Sequence, residues 1–327
     1  MQIGAILTIA GEQHAGGQFA DPPRKYKRKD TGRFLGGSSR VLLDVLGQNL
    51  LTRALGKLRD FVTAAPTVIS EGMPSGQLLL PARSAKTTAF ITTWEDAVAK
   101  YVQQGAGLLL LQRVSSYSDL EYNDLLQFHL ERQARLTQVY APDGSLDMAL
   151  VDATLLRDTG EAYRRTLSSL IPEQERFFYQ GYVNRLNRPQ EFRKLIEDGL
   201  NGQCGLRPLG TEVGPSIWQG PGAQVDSSAV IAGPAFIGAG TRIAACCTLS
   251  GASTIERNCE VDCGTTVEQS CILQGAYLGV GLDVRRSIVN DNRLFHLDRN
   301  VEVRISDRRL IGPAKPAPVM ADGGALA

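Results

Sequence analysis

The sequence predicts two structural units: an α/β domain with a parallel sheet, then a solenoid of very short parallel strands. Three observations carry this expectation. Strand-like apolar runs alternate with amphipathic helical runs through the first two hundred residues. A Gly- and Pro-dense stretch without helical period, residues 204–222, follows them. Behind it, aliphatic side chains return every sixth residue. At 327 residues the chain is also too long for one ordinary core.

The first element is "MQIGAILTIAG", apolar but without a basic lead, and followed at once by Glu12, Gln13 and His14. That is not the pattern of a signal peptide and reads as a buried first strand. No apolar run approaches the ~20 residues that span a bilayer, so a cytoplasmic protein with reduced thiols is expected. "QNLLTRALGKLRDF" places Leu51, Leu55 and Leu58 on one helical face. "TTWEDAVAKYVQQG" opens with Thr93 and Asp96, a near capping box, and stops at Gly105. "GLLLLQRV" reads as a strand covered on both faces. "SDLEYNDLLQFHLERQA" starts with Ser118 and Glu121, the spacing of a capping box. Alternation of this kind implies a parallel sheet with a ligand crevice at the strand ends.

Composition excludes little else. The 35 basic and 34 acidic side chains balance, which gives no global case for nucleic acid or an anionic membrane. The one local exception is "RKYKRK", Arg24 to Lys29, read as a solvated loop. The six cysteines (204, 246, 247, 259, 263 and 271) form no CxxC pair and have no histidine near them, so metal binding is not expected. His14, His129 and His296 have no evident triad partners, and His129 on its amphipathic helix is read as structural. Asp143 and Asp147 flank a turn in "APDGSLD", which accounts for them.

In the repeat, Val225, Ile231, Ile237, Ile243, Leu249, Ile255, Val261 and Val267 are six apart. Four positions after each comes a small side chain: Ala229, Ala235, Thr241, Cys247, Ser253, Cys259, Thr265 and Cys271. An aliphatic group pointing inward from each strand and a small one at each tight corner describe a solenoid. One residue is then dropped, and the pattern resumes at Ile272, Leu278 and Val284. Three hexads per coil should stack residues eighteen apart, with the cysteines filling corners as small apolar groups.

The repeat resembles the hexapeptide repeat of left-handed parallel β-helices, and the order of parts resembles the sugar-phosphate nucleotidyltransferases, such as GDP-mannose and ADP-glucose pyrophosphorylases. "RVLLDVLGQNLLTRALGKL" is similar to the family's Lys-Pro-Leu-Leu-x-Val-x-Gly segment and its helix. "DLLQFHLERQARLT", with His129, Ala134 and Thr137, is similar to its LL-x-x-H-x-x-x-x-A-x-x-T segment. "GYVNRLNRPQEFRKLIEDGLNG" is similar to Gly-Tyr-Trp-x-Asp-Ile-Gly-Thr-Pro and the helix after it. The resemblance implies a Rossmann-like nucleotidyltransferase-type α/β domain over 1–203 and a left-handed β-helix over 223–305, while composition marks 204–222 as a Gly/Pro-rich linker and 306–327 as a disordered tail.

The family's reaction needs a metal ion and phosphate clamps, and here the motifs depart. The phosphate loop begins with Ala10 and Gly11 but lacks the glycine offsets and arginine of the motif. Arg40 replaces the lysine of the Lys-Pro segment. The first metal aspartate falls on Val114 and the second on Arg185. The Glu-Lys-Pro segment is missing between "RLTQVYAPDGS" and "MALVDATLLR".

The expectation is therefore a nucleotidyltransferase-like, non-catalytic regulatory or scaffolding subunit of nucleotide-sugar or polysaccharide metabolism. Ala10, Gly11, Arg40 and Arg185 are its candidate nucleotide- or phosphate-binding residues. No catalytic or metal residue is assigned and no cofactor is expected. Nucleotide or sugar phosphate is the small-molecule partner, a homo- or hetero-oligomer forms through the β-helix, and neither membrane nor nucleic acid is bound. Two alternatives remain: an active sugar-1-phosphate nucleotidyltransferase with relocated ligands, using Mg, and a hexapeptide-repeat acyltransferase. The second wants a coil-edge histidine, and the run from Val225 to Val284 has none. Arg185 is read as a solvated loop residue, with phosphate binding as its sharper alternative.

Overall fold

A computed structural model describes residues 1–10, 39–71, 89–90, 94–157 and 162–315. Gly11, His14, the run Arg24–Lys29, Thr93 and residues 316–327 lie outside the described residues. The chain divides into two compact units, residues 1–42 with 49–187 and residues 43–48 with 188–327. That division falls before the boundary at 203 expected from the sequence.

The first unit is built on a seven-stranded sheet. Its order is Ala89–Phe90, Thr67–Glu71, Ile3–Ala10, Leu108–Arg113, Gly144–Asp152, Leu136–Ala141, Glu175–Phe178. The expected all-parallel sheet is corrected at one strand: Gly144–Asp152 is antiparallel to both neighbours, while the other pairs are parallel. Only Pro142 and Asp143 join Leu136–Ala141 to Gly144–Asp152, and so short a connection can only reverse the chain. Leu108 to Leu111 are buried, as a run covered on both faces requires.

Helix Leu50–Leu58 buries Leu51, Leu55 and Leu58, and the Asn49 side chain accepts from the Thr52 N–H at 2.8 Å, an N-cap. Helix Trp94–Gln103 ends before Gly105, which has φ +76°. The capping box expected at Ser118 does not form. Ser118 is extended and pairs with Val183, the helix is Tyr122–Glu131, and Glu121 at its N-cap makes no side-chain cap bond. A residue held in a ladder four positions before the first helical residue is too early to cap it.

The second unit contains three ladders of parallel strands, and successive hexads step from one ladder to the next. Val225 pairs with Ile243, Ile243 with Val261 and Val261 with Leu278. The other ladders run Ile231, Leu249, Val267, Val284 and Ile237, Ile255, Ile272, Val289. These aliphatics form one core cluster. The arrangement is compatible with a β-helix. Thr241, Cys247, Ser253, Cys259 and Thr265 are buried at the corners. There the hydroxyls also bind backbone: Thr241 Oγ1 donates to the Glu256 carbonyl at 2.6 Å and accepts from the Cys259 N–H at 3.2 Å.

Cys271 is not a corner. The dropped residue shortens the turn before it, so the stacking offset slips and Thr254 pairs with Cys271. Ser270 takes the corner, its N–H donating to Ser253 Oγ at 3.0 Å. Cys271 instead joins the opposite row, with Phe236, Thr254 and Ile288. All four are fully buried although they face away from the cluster of inward aliphatics.

Two coverings explain that burial. Helix Pro189–Leu200 is tied to the coils by Arg193, which donates to the carbonyls of Gly251 (2.9 Å) and Gln269 (3.2 Å). Residues 43–48 form the other. Leu46 (φ +55°) and Gly47 (φ +93°) make a two-residue turn, and the buried Glu256 carboxylate accepts from both their N–H groups at 2.8 Å. Buried Asp44 pairs with Arg257 at 2.7 Å, and its N–H donates to Gln274 at 3.2 Å.

The Gly/Pro-rich segment 204–222 carries strands of its own. Thr211–Gly214 and Ile217–Gln219 form a hairpin, and Ile217–Gln219 begins a ladder by pairing with Ala235–Ile237. The expected disordered tail 306–327 is corrected over its described part, 306–315. Ile311–Pro313 pairs antiparallel with Ala276–Leu278, and Ile311 is buried in the coil core. No described helix is long and apolar enough to cross a membrane.

Candidate functional site

In a sheet of this kind, ligands bind outside the carboxyl ends of the parallel strands. Ile3–Ala10 and Leu108–Arg113 end there side by side, with Thr8 opposite Arg113. A narrow recess at this edge is lined by Thr8, Gln112, Arg113, Asp147 and Trp94. The Tyr122 hydroxyl donates to Gln112 Oε1 at 2.9 Å and fixes the amide. Burial pushes the Tyr122 pKa up, which keeps that hydroxyl a donor.

Asp147 reaches the recess through a local irregularity. The ladder between Leu136–Ala141 and Gly144–Asp152 shifts register between Gln138 and Tyr140, and Asp147 has φ +54°. Such bulges re-aim a side chain. Its N–H donates to Ser145 Oγ at 3.1 Å, and Ser115 Oγ lies 3.5 Å from its carboxylate. The turn expected around Asp143 and Asp147 is present, but the turn alone does not account for either residue.

Asp143 is the partner of Arg185. Arg185 Nε donates to Asp143 Oδ2 at 2.9 Å and Nη2 to Oδ1 at 2.5 Å. Nη1 donates to the Ser145 carbonyl at 2.5 Å and Nη2 also to that of Gly144 at 2.9 Å. Four of the five N–H donors of a guanidinium are thus taken up by one hairpin. The Arg185 side chain is only 20% exposed. The solvated-loop reading is therefore corrected: Arg185 is a structural clamp. The Arg185 hydrogen bond outweighs the opposing effect of burial and holds the Asp143 carboxyl below the usual range, with the Arg185 charge adding less.

The loop around Arg185 is built for this. Asn184 is buried, and its side chain accepts from the Leu186 N–H at 3.0 Å. Leu186 has φ +54°, and its carbonyl accepts from Arg40 Nη1. Arg40, in the short turn Arg40–Leu42, is thus brought to the residue next to Arg185, and both cations bind protein groups. Ala10 ends the first strand at the same edge.

The other candidates separate. Val114 is buried, its N–H donating to the Thr8 carbonyl at 2.9 Å. His129 is buried with Nδ1 2.8 Å from Thr137 Oγ1, near the start of Leu136–Ala141 and so away from the carboxyl edge. Burial pushes its pKa down, with Asp152 pulling the other way. His296 belongs to the second unit, where Nδ1 accepts from the Arg299 N–H at 3.4 Å.

A divalent cation does not fit the two positions at which the resemblance would place its ligands. Val114 has no oxygen to offer from its side chain, and Arg185 is itself a cation. No protein-family model matches the chain, and no curated protein matches it. The recess residues Thr8, Gln112 and Arg113 carried no motif, and only their place at the end of two adjacent strands singles them out.

Proposed function

We propose that this chain is a nucleotidyltransferase-like protein that has lost metal-dependent transfer and acts as a regulatory or scaffolding subunit in nucleotide-sugar or polysaccharide metabolism. On this reading the first unit is a nucleotidyltransferase-type domain and the second a left-handed parallel β-helix. The mixed sheet with its carboxyl-edge recess, followed by three ladders of short parallel strands, supports that architecture.

The observation that carries the functional reading is Arg185. Where the resembling family places a metal-binding carboxylate, this chain has a guanidinium engaged by Asp143 and two carbonyls. Removing one preorganised electrostatic group typically costs ~100–1000-fold in rate, and here the oxygen ligand is absent at Val114 as well. Purified full-length protein given nucleoside triphosphates, sugar 1-phosphates and magnesium should release no pyrophosphate. Turnover of ~1 per second or faster, the ordinary range of enzymes, overturns the reading.

A further inference from the structure

The eight-stranded sheet of the second unit has two outer strands, and they are protected very differently. Thr211–Gly214 at one end has a register shift between Glu212 and Gly214. A bulge of this kind blunts an edge against further pairing. Val301–Arg304 at the other end pairs regularly with Arg293–His296 on its inner side, with no shift. All four of its residues are exposed, including Val301 at 48% and Val303 at 44%. It contains no proline, lysine or bulge; its two charged residues, Glu302 and Arg304, are of opposite sign.

The order of side chains on this edge is self-complementary. Side chains alternate across a strand, so Val301, Val303 and Ile305 share one face and Glu302 and Arg304 the other. A second copy related by a twofold axis normal to the sheet pairs antiparallel and keeps each face on its own side. With the axis at Val303, valine meets valine and each Val301 meets the other copy's Ile305. On the opposite face each Glu302 meets an Arg304, twice. Moving the axis by one residue puts Glu302 against Glu302 or Arg304 against Arg304, and like charges directly opposed destabilise a sheet. Arg304 has no ion-pair partner among the described residues, whereas Glu302 already holds Arg293 at 2.7 Å and lies in place to bridge two arginines.

We propose that two copies of this chain associate through Val301–Arg304, antiparallel and centred on Val303, joining their sheets into one. This is independent of the nucleotidyltransferase reading, since it rests on the second unit alone.

Light scattering on full-length protein after size exclusion tests it. The parent should run at twice the chain mass. Arg304→Glu and Glu302→Arg each place like charges across the axis, and each should run at the chain mass. Their equimolar mixture should return to twice the chain mass, because the two arginines of one copy then face the two glutamates of the other. Damage to folding could break the dimer in either variant, but it gives no reason for the mixture to restore it. A monomeric parent, variants that keep the parent's mass, or a mixture that stays monomeric each overturn the proposal.

Discussion

Replacing Arg185 by alanine removes a clamp whose strength follows from its geometry. Two of its four hydrogen bonds go to the Asp143 carboxylate, whose side chain is 59% exposed. Solvent screens that pair to about 0.5–1 kcal/mol. The other two go to the Gly144 and Ser145 carbonyls from a guanidinium mostly out of water, at about 0.5–1 kcal/mol each. Arg185→Ala should thus destabilise the first unit by about 1.5–3 kcal/mol in urea unfolding. Asp143→Ala should cost less, because the carbonyl bonds survive it.

A pH series separates the two parts. The folded-state pKa of Asp143 is depressed, chiefly by the Arg185 hydrogen bond. Its contribution is therefore present above the unfolded value near ~3.9 and is lost as pH falls through the folded value. The gap between parent and Arg185→Ala should narrow below about pH 4 to the roughly 1–2 kcal/mol of the carbonyl bonds. A gap under ~0.5 kcal/mol at neutral pH, or one that does not change down to acid, would refute the clamp.

Two more outcomes follow from the second unit. Of the six cysteines, Cys246 and Cys263 are exposed, and the rest are buried, with burial pushing Cys259 up to about 12. A thiol reagent at pH 8 should label those two quickly and all six only in denaturant; fast labelling of Cys247, Cys259 or Cys271 contradicts the packing of the ladders. Glu256→Ala strips the acceptor from the N–H groups of Leu46 and Gly47, so chemical unfolding should show a loss of about 3 kcal/mol, with Glu256→Gln intermediate. A loss below ~1 kcal/mol would mean that water replaces the carboxylate.

The three ladders of short strands were legible because their rule is one-dimensional. Each hexad repeats the same aliphatic and corner requirement, so Val225 to Val267 could be placed from spacing alone. The exception marks the limit of that rule. Spacing located the dropped residue but not whether it shortened a strand or a turn, and Cys271 changed face on that difference. The antiparallel Gly144–Asp152 was hidden for a similar reason, because its residues suit either direction and only the two-residue connection decides. The Arg185–Asp143 pair spans 42 positions, and no local pattern announces it. Asp147 enters the recess through a positive φ that its neighbours Leu146 and Met148 do not suggest.

Residues 43–48 give the chain a property that bears on how it can be recombined. They belong to the second unit, yet the 139 residues 49–187 separate them from the rest of it. The partners of this short segment, Glu256, Arg257 and Gln274, are more than two hundred positions downstream. A fragment cut at residue 188 would therefore uncover Phe236 and leave the Glu256 carboxylate without two of its donors. The second unit is not a cassette that a single crossover can move between proteins. Any exchange that keeps it whole must carry the early segment along, and during synthesis that segment must wait for the coils before its turn can be closed.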